Sequence, residues 1–390
     1  MVPLQKSTRI EVIDALRGFA ILSIMLLHNI EHFDLYHFPD YLPATIKTID
    51  GIIWDSLFFI FGGKSYAIFA LLFGLTFFIQ FNNRQKTGQD FSGRFLWRLF
   101  LLLIFGVINS LFFEGDILAF YAIIGVILIP FRKLRTSIIF GIAITLMIQP
   151  LEWGKFFFIL TNPDYVEPVK LSSQYFAKIA EYLGGGTFWE VAKGNLTNGR
   201  LAVIYWSLEN GRFFQTASLF LFGMLLGRQY LFETSEKNNQ FWNRALIISS
   251  ITFVPLYLLK RTIPELISRD VLHGPLNLII SSWANFAFMV AIVAAFVLLY
   301  QKRAFHKLLT KLQPLGRMSL SNYVIQSIVG SFVYYGFGLG LYLYTGASFS
   351  LIIGIVLAVM QTLFSKWWLN KYNHGPFEYL WHKATWVKCI

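Results

Sequence analysis

Residues 10–30 read IEVIDALRGFAILSIMLLHNI. Four chargeable side chains, Glu11, Asp14, Arg17 and His28, interrupt an otherwise apolar run. A bilayer core about 30 Å thick takes about 20 apolar residues as a helix, so the run is long enough to cross. Backbone groups in hydrocarbon must bond within their own segment, so the predicted element is a helix. No small-residue cleavage site follows it, and the run reads as a retained first helix, not a leader. Similar runs follow at 52–81, 95–113, 117–131, 138–149, 213–227, 245–259, 276–300, 320–344 and 348–368. The second is interrupted by Gly62-Gly63-Lys64. The expected fold is an all-α, polytopic membrane helix bundle of about ten transmembrane helices.

Composition agrees. The 390 residues are 56% hydrophobic and 14% charged, against about a quarter charged in soluble domains. So much apolar surface exceeds what one globular core can hide. The net charge of +12 could suggest nucleic acid, but Lys and Arg sit between the apolar runs and not on one face. Alternate loops are basic: Arg84, Lys86 and Arg94; Arg132, Lys133 and Arg135; Lys302, Arg303, Lys307, Lys311 and Arg317. The loops between them are acidic, as with Glu31, Asp34, Asp40 and Asp50. By the positive-inside rule both termini are cytoplasmic, and no nucleic-acid partner is expected. The chain divides into residues 10–150 (five helices and the candidate site), 151–212 (an extracytoplasmic segment with interfacial or cavity-capping helices), 213–368 (five more helices) and a tail at 369–390, all one transmembrane domain. The lone Cys389 leaves no disulfide framework, Cys-rich metal site or good thiol nucleophile; no metal is expected.

Ionisable groups inside apolar runs carry the functional information, because a charge at mid-bilayer costs at least about 2.5–3.5 kcal/mol. Asp14 and Arg17 share one helix face. They read either as an ion pair locking α-helical neighbours or as an orienting carboxylate and an arginine that reaches an anionic ligand. His28 lies eleven residues beyond Arg17, about 16 Å along the axis. It is either a helix-to-helix hydrogen bond or a proton shuttle. His32 and His37 read as solvated loop residues, with His37 a second candidate base. Lys64 at the Gly-Gly break suggests a cavity-lining position in a discontinuous helix. Arg94 and Arg98 stand one turn apart and read as snorkelling cations or as a diphosphate clamp. Glu114 and Asp116 close the next hairpin.

Four ordered boxes resemble the YeiB family, a domain of unknown function (418). They are Ile13-Asp14-Ala15-Leu16-Arg17-Gly18-Phe19-Ala20; Glu114-Gly115-Asp116-Ile117-Leu118 with Tyr121-Ala122; Gly316 through Tyr323 with Gln326-Ser327; and Gly375-Pro376-Phe377-Glu378-Tyr379-Leu380-Trp381. The resemblance implies kinship with transmembrane acyltransferases, the acyltransferase 3 and heparan-α-glucosaminide N-acetyltransferase families. It implies acetyl-CoA or another acyl-CoA as donor, an envelope glycan or lipid as acceptor, and a bacterial cytoplasmic (inner) membrane location. Arg17-Gly18 followed by His28, and Arg94-x-x-x-Arg98, match acyltransferase 3 spacings. Two positions depart: His28 stands where many YeiB members carry Asn, and His382 where Arg is expected. The expected roles are His28 or His37 as base, Arg17, Arg94, Arg98 and Lys64 toward the donor, and Asp14, Asp116, Arg317, Asn322 and Glu378 in support. These side chains are expected to converge on a wet hollow open to the cell interior. The alternatives are a proton-coupled transporter or lipid flippase, or an inactive scaffold among membrane lipids; self-association into a homodimer is left open.

Overall fold

The computed structural model describes residues 10–387; Lys6, Arg9, Lys388 and Cys389 lie outside the described residues. The described chain is helical throughout, with no strand. The helices are α1 Glu11–Ile30, α2 Ala44–Phe61, α3 Ser65–Gln85, α4 Ser92–Asn109, α5 Leu118–Gly125, α6 Leu128–Phe131, α7 Thr136–Met147, α8 Pro150–Thr161, α9 Leu171–Gly185, α10 Phe188–Gly194, α11 Arg200–Glu209, α12 Arg212–Arg228, α13 Glu236–Leu266, α14 His273–Tyr300, α15 Arg303–Leu309, α16 Gln313–Arg317, α17 Ser319–Tyr334, α18 Ala347–Lys371 and α19 Pro376–Thr385. Six segments among the described residues are long and apolar enough to cross a membrane, seven if α7 and α8, bent by 44°, form one span. This is a membrane protein.

Two of the other apolar runs form shorter helices than their hydropathy suggested. The run at 117–131 divides into α5 and α6, and the run at 320–344 ends its helix at Tyr334. Beyond Tyr334 the chain turns away at Gly336, whose N–H donates to Leu183 O at 2.9 Å. The 52–81 run is two helices, because Gly62 leaves helical geometry and Gly63 takes φ +75°, a conformation costly to any residue with a Cβ.

Glycine also sets the helix crossings. A Cβ on Gly74 would stand 1.9 Å from Phe220 O, and one on Gly223 would stand 1.9 Å from Leu71 O. Thus α3 and α12 touch backbone to backbone at reciprocal glycines, the close approach that small residues permit in lipid. Gly18 against Leu312 and Gly316 against Asp14 do the same for α1 and its partners around α16.

Basic segments gather at one end. Arg132 Nη2 donates to Ser92 Oγ at 2.6 Å, Arg228 Nη1 donates to Leu134 O at 2.9 Å, and the Arg84 guanidinium lies 4.4 Å from the Trp386 ring centre. At the other end, α9 and α11 lie over the bundle. Their Ile179, Leu183 and Ala202 pack with Phe33, Phe113, Tyr334 and Tyr335 into a second apolar core.

The chain leaves α1 by an unusual turn. His32, Phe33, Asp34 and Tyr36 all have φ between +48° and +70°, left-handed values that non-glycine residues avoid. Tertiary contacts hold it. The buried Phe33 ring rests on Gly330, where a Cβ would meet Phe33 Cζ at 2.0 Å, and Tyr335 OH donates to Phe33 O at 2.8 Å.

Candidate functional site

The strained turn builds one wall of a cavity of about 690 Å³. His28, Glu31 and Asp34 line it from the end of α1 and the turn, Asp116 from the α4–α5 connection, and Arg212 from the start of α12. The His28 ring sits edge-on to Phe113 at 4.8 Å, with Nδ1 3.4 Å from Glu31 Oε2. At that separation Nδ1 makes no hydrogen bond to protein among the described residues, so the imidazole is open to exchange a proton with a guest. Tyr36 OH lies 3.0 Å from Glu31 Oε1 and 3.1 Å from Asp34 Oδ1.

Asp34, Asp116 and Glu114 are hard to ionise. Burial, then the charge of Glu31, pushes the Asp34 carboxyl up to about 6. Burial likewise raises Asp116 to about 6, although Ala119 N donates to its Oδ2 at 2.9 Å and Asn109 Nδ2 to its Oδ1 at 3.0 Å. Behind them the wholly buried Glu114, beside Asp34, is held well above the ordinary carboxylate range. These are the perturbations that burial and like-charge proximity produce together.

A second, smaller cavity of about 210 Å³ lies toward the basic end. Arg17, Arg98 and Arg317 line it, with Glu378 and Trp381 of α19 and apolar walls from α3 and α4. Arg17 is tied to Asp14 at 3.2 Å and to Thr76 Oγ1 at 2.9 Å. Arg98 stacks on Trp381 at 4.1 Å. Tyr121 lines both cavities and divides them. Its hydroxyl donates to Tyr66 O at 2.8 Å while Phe73 and Phe220 pack against its ring.

Several sequence-based placements change. His28 and the arginines do not share one hollow; they face separate cavities on the two sides of Tyr121. Arg94 does not stand beside Arg98 as an open clamp. Its Nη1 donates to Thr385 O at 2.8 Å and Val387 O at 3.1 Å, so α19 occupies that face. Lys64 lines neither cavity. It is buried between the rings of Phe59 and Phe288, 5.8 Å and 5.4 Å from their centres, although its neighbours Gly63 and Ser65 do line the larger one. His37 is exposed, with its ring edge-on to Tyr342 at 5.4 Å. His32, read as a solvated loop residue, is fully buried on Ser350 Oγ at 2.8 Å, and burial lowers it to about 4, so it is neutral.

The supporting residues are joined to one another. Glu378 Oε1 accepts the N–H groups of Leu320 and Ser321 at 2.7 and 3.1 Å, capping α17 from α19, and Ser321 Oγ also donates to this carboxylate. Asn322 Nδ2 donates to Leu315 O at 3.0 Å and Ser365 Oγ at 3.1 Å, binding α17 to α16 and α18. Glu31, Asp34 and Arg212 went unassigned in the sequence reading. Only the i, i+3 spacing of His28 and Glu31 pointed to one of them. Among the described residues no group of three or more His, Cys, Asp or Glu could hold a metal ion.

Residues 226–388 match the family described as "Protein of unknown function (DUF418)". That stretch contains both boxes joined by Glu378. The uncharacterized Escherichia coli (strain K12) protein YeiB is 25% identical over 96% of this chain and 95% of its own length. These matches support assignment of the chain to the YeiB (DUF418) family. Other relatives in the family's image are the uncharacterized YxaH of Bacillus subtilis (strain 168), 29% identical over 99% of this chain and 96% of its own, and an uncharacterized 39.9 kDa protein from the amylase 3′ region of Bacillus acidopullulyticus, 24% identical over the same shares. No solved structure matches the chain.

Proposed function

We propose that the protein is a membrane acyltransferase that moves an acyl group, acetyl in the simplest case, from cytoplasmic acyl-CoA to a hydroxyl or amine of an envelope sugar or lipid. The observation that carries the reading is the pair of cavities meeting at Tyr121, arginines on one side and His28 with Glu31 on the other. About 210 Å³ is too small for a nucleotide, since drug-sized ligands need about 300 Å³ or more. It suits the acyl-pantetheine arm, with Arg17 and Arg98 in its wall and the CoA phosphates outside against the basic end of the bundle. His28 takes the proton of the acceptor O–H or N–H as that atom attacks the thioester carbon. The C–S bond then breaks and the proton passes to the departing thiolate. Glu31 holds the imidazole and stabilises it while charged.

In this reading the bundle makes ten passes of the bacterial cytoplasmic membrane, with both termini inside. It is supported by the gathering of basic segments at one end and by the positive-inside rule. The short pass of α5 with α6 buries one face, at Leu118, Tyr121, Ala122, Ile124 and Leu128, against protein, where irregular backbone is tolerated.

Purified protein in nanodiscs is tested for acetyl-CoA binding and acyl turnover. His28→Ala is expected to keep binding and lose turnover by about 10²–10⁴-fold, the usual contribution of a general base. Absence of acyl-CoA binding by wild-type protein would overturn the reading in favour of a transporter or scaffold. Unchanged turnover in His28→Ala would remove His28 from the mechanism.

A further inference from the structure

A third cavity, about 780 Å³, adjoins the His28 cavity, and Arg212 lines both. It lies among α8, α11, α12, α13 and α14. Its most telling wall is α14, a strongly apolar helix that nevertheless places Asn277, Ser281 and Asn285 on the cavity at i, i+4 and i+8, one face of a helix. No hydrogen bond ties these three side chains to protein among the described residues. Buried polar groups are costly without hydrogen-bond partners, so a stripe of them on an otherwise apolar helix, turned to an open cavity, suits a polar guest.

The charges are equally informative. Lys155 and Glu167 neutralise each other at 2.8 Å. Glu209 accepts from Ser172 N at 3.2 Å and from the Ser172 hydroxyl. Arg212 and Lys260 have no carboxylate partner among the described residues. Arg212 is instead held between the rings of Tyr66 and Trp206, 4.3 and 4.9 Å from their centres, and donates to Gln215 Oε1 at 3.1 Å. Lys170 and Glu152 also line the cavity and offset one another in sign. Four cations (Lys155, Lys170, Arg212 and Lys260) thus face three carboxylates (Glu152, Glu167 and Glu209), a surplus of one positive charge, with Arg212 a guanidinium shaped for two oxygens of one anion and Lys260 an ammonium.

We infer that this cavity binds the anionic, hydroxyl-bearing headgroup of the acceptor, a polyol phosphate, with the phosphate on Arg212 and Lys260 and the hydroxyls on the α14 stripe. The inference rests on the acyltransferase reading and names its acceptor class. Arg212 then does for the acceptor what no residue of the arginine cavity can do. It fixes the anion on the His28 side of Tyr121, so that a hydroxyl of the same molecule reaches the imidazole.

The test needs no acyl donor. Protein in phosphatidylcholine nanodiscs is titrated with glycerol phosphate, and in a second arm phosphatidylglycerol is added to the nanodisc; thermal stability and native mass spectrometry report binding. Saturable binding in at least one arm is expected, and the arm that responds tells a soluble polyol phosphate from a lipid headgroup. Lys260→Gln, at an exposed side chain, and Arg212→Gln are each expected to weaken binding by about tenfold or more, the scale of one charged hydrogen bond. Arg212→Lys should recover part of the loss. Lys366→Gln, exposed on α18, should bind as wild type. No binding in either arm, or equal weakening by Lys366→Gln and Lys260→Gln, overturns the inference. Acetyl-CoA binding with neither probe bound would refute this site alone, and the reverse would refute the acyl-donor reading alone.

Discussion

Glu378→Ala should loosen the whole basic end of the bundle. Glu378 accepts two backbone N–H groups at the start of α17, from Leu320 at 2.7 Å and Ser321 at 3.1 Å, together with the Ser321 hydroxyl. Stranding a buried donor costs about 1–3 kcal/mol. Removing a carboxylate from a helix N-terminus adds about 0.3–1 kcal/mol. The residue is half-buried, so water can replace part of what is lost, and the lower half of the range applies: about 2–4 kcal/mol. Phe377 N donates to Ser321 Oγ at 3.0 Å, so the same change frees the α19 turn that carries Trp381 against Arg98. Glu378→Gln retains a carbonyl oxygen for the two N–H groups and should lose about half as much. The assay is size-exclusion recovery after heating in detergent, with Lys366→Gln as the exposed control. If Glu378→Ala melts with that control, the cap contributes nothing and the argument joining the two C-terminal boxes is wrong.

Three other outcomes are expected. Gly223→Val puts a branched side chain where a Cβ already stands 1.9 Å from Leu71 O. It should separate α3 from α12 and cost about 1–3 kcal/mol or more, whereas a wild-type melting curve would mean the crossing tolerates a side chain. Lys64→Met removes a cation that is 7% exposed, with ring faces as its neighbours. Stability should hold or rise by about 1 kcal/mol, and a large loss would point to an unrecognised anionic partner. For pH, Asp116 holds its proton to about 6 in the fold against an ordinary 3.8. Its contribution to stability is thus complete below 3.8 and is lost as pH rises through about 6, up to about 3 kcal/mol. Melting of wild type minus Asp116→Asn should therefore fall between pH 4 and pH 7, and a flat difference would show that Asp116 titrates normally.

Apolar runs of bilayer length set lipid as the solvent and helix as the backbone answer, and both follow from residues 10–30 read alone. The charges at Asp14, Arg17 and His28 also marked α1 as more than an anchor, because ionised groups are expensive in hydrocarbon wherever their partners lie. The tertiary structure decided which of these groups face a common space. Arg17 and His28 share a helix but open onto different cavities, because Tyr121 enters between them from α5. Arg94 and Arg98 share a spacing but not a role: α19 returns from far along the chain to tie Arg94 to the carbonyls of Thr385 and Val387, while Arg98 stacks on Trp381 and still lines the smaller cavity. Arg212 is held between Tyr66 and Trp206, and no local pattern brings Tyr66 to it. The physical reason is range. Hydropathy and helical period act within a few turns, whereas a cavity is the volume left over when distant helices meet, and here their meeting is set by glycine contacts such as Gly74 with Phe220 and Gly18 with Leu312.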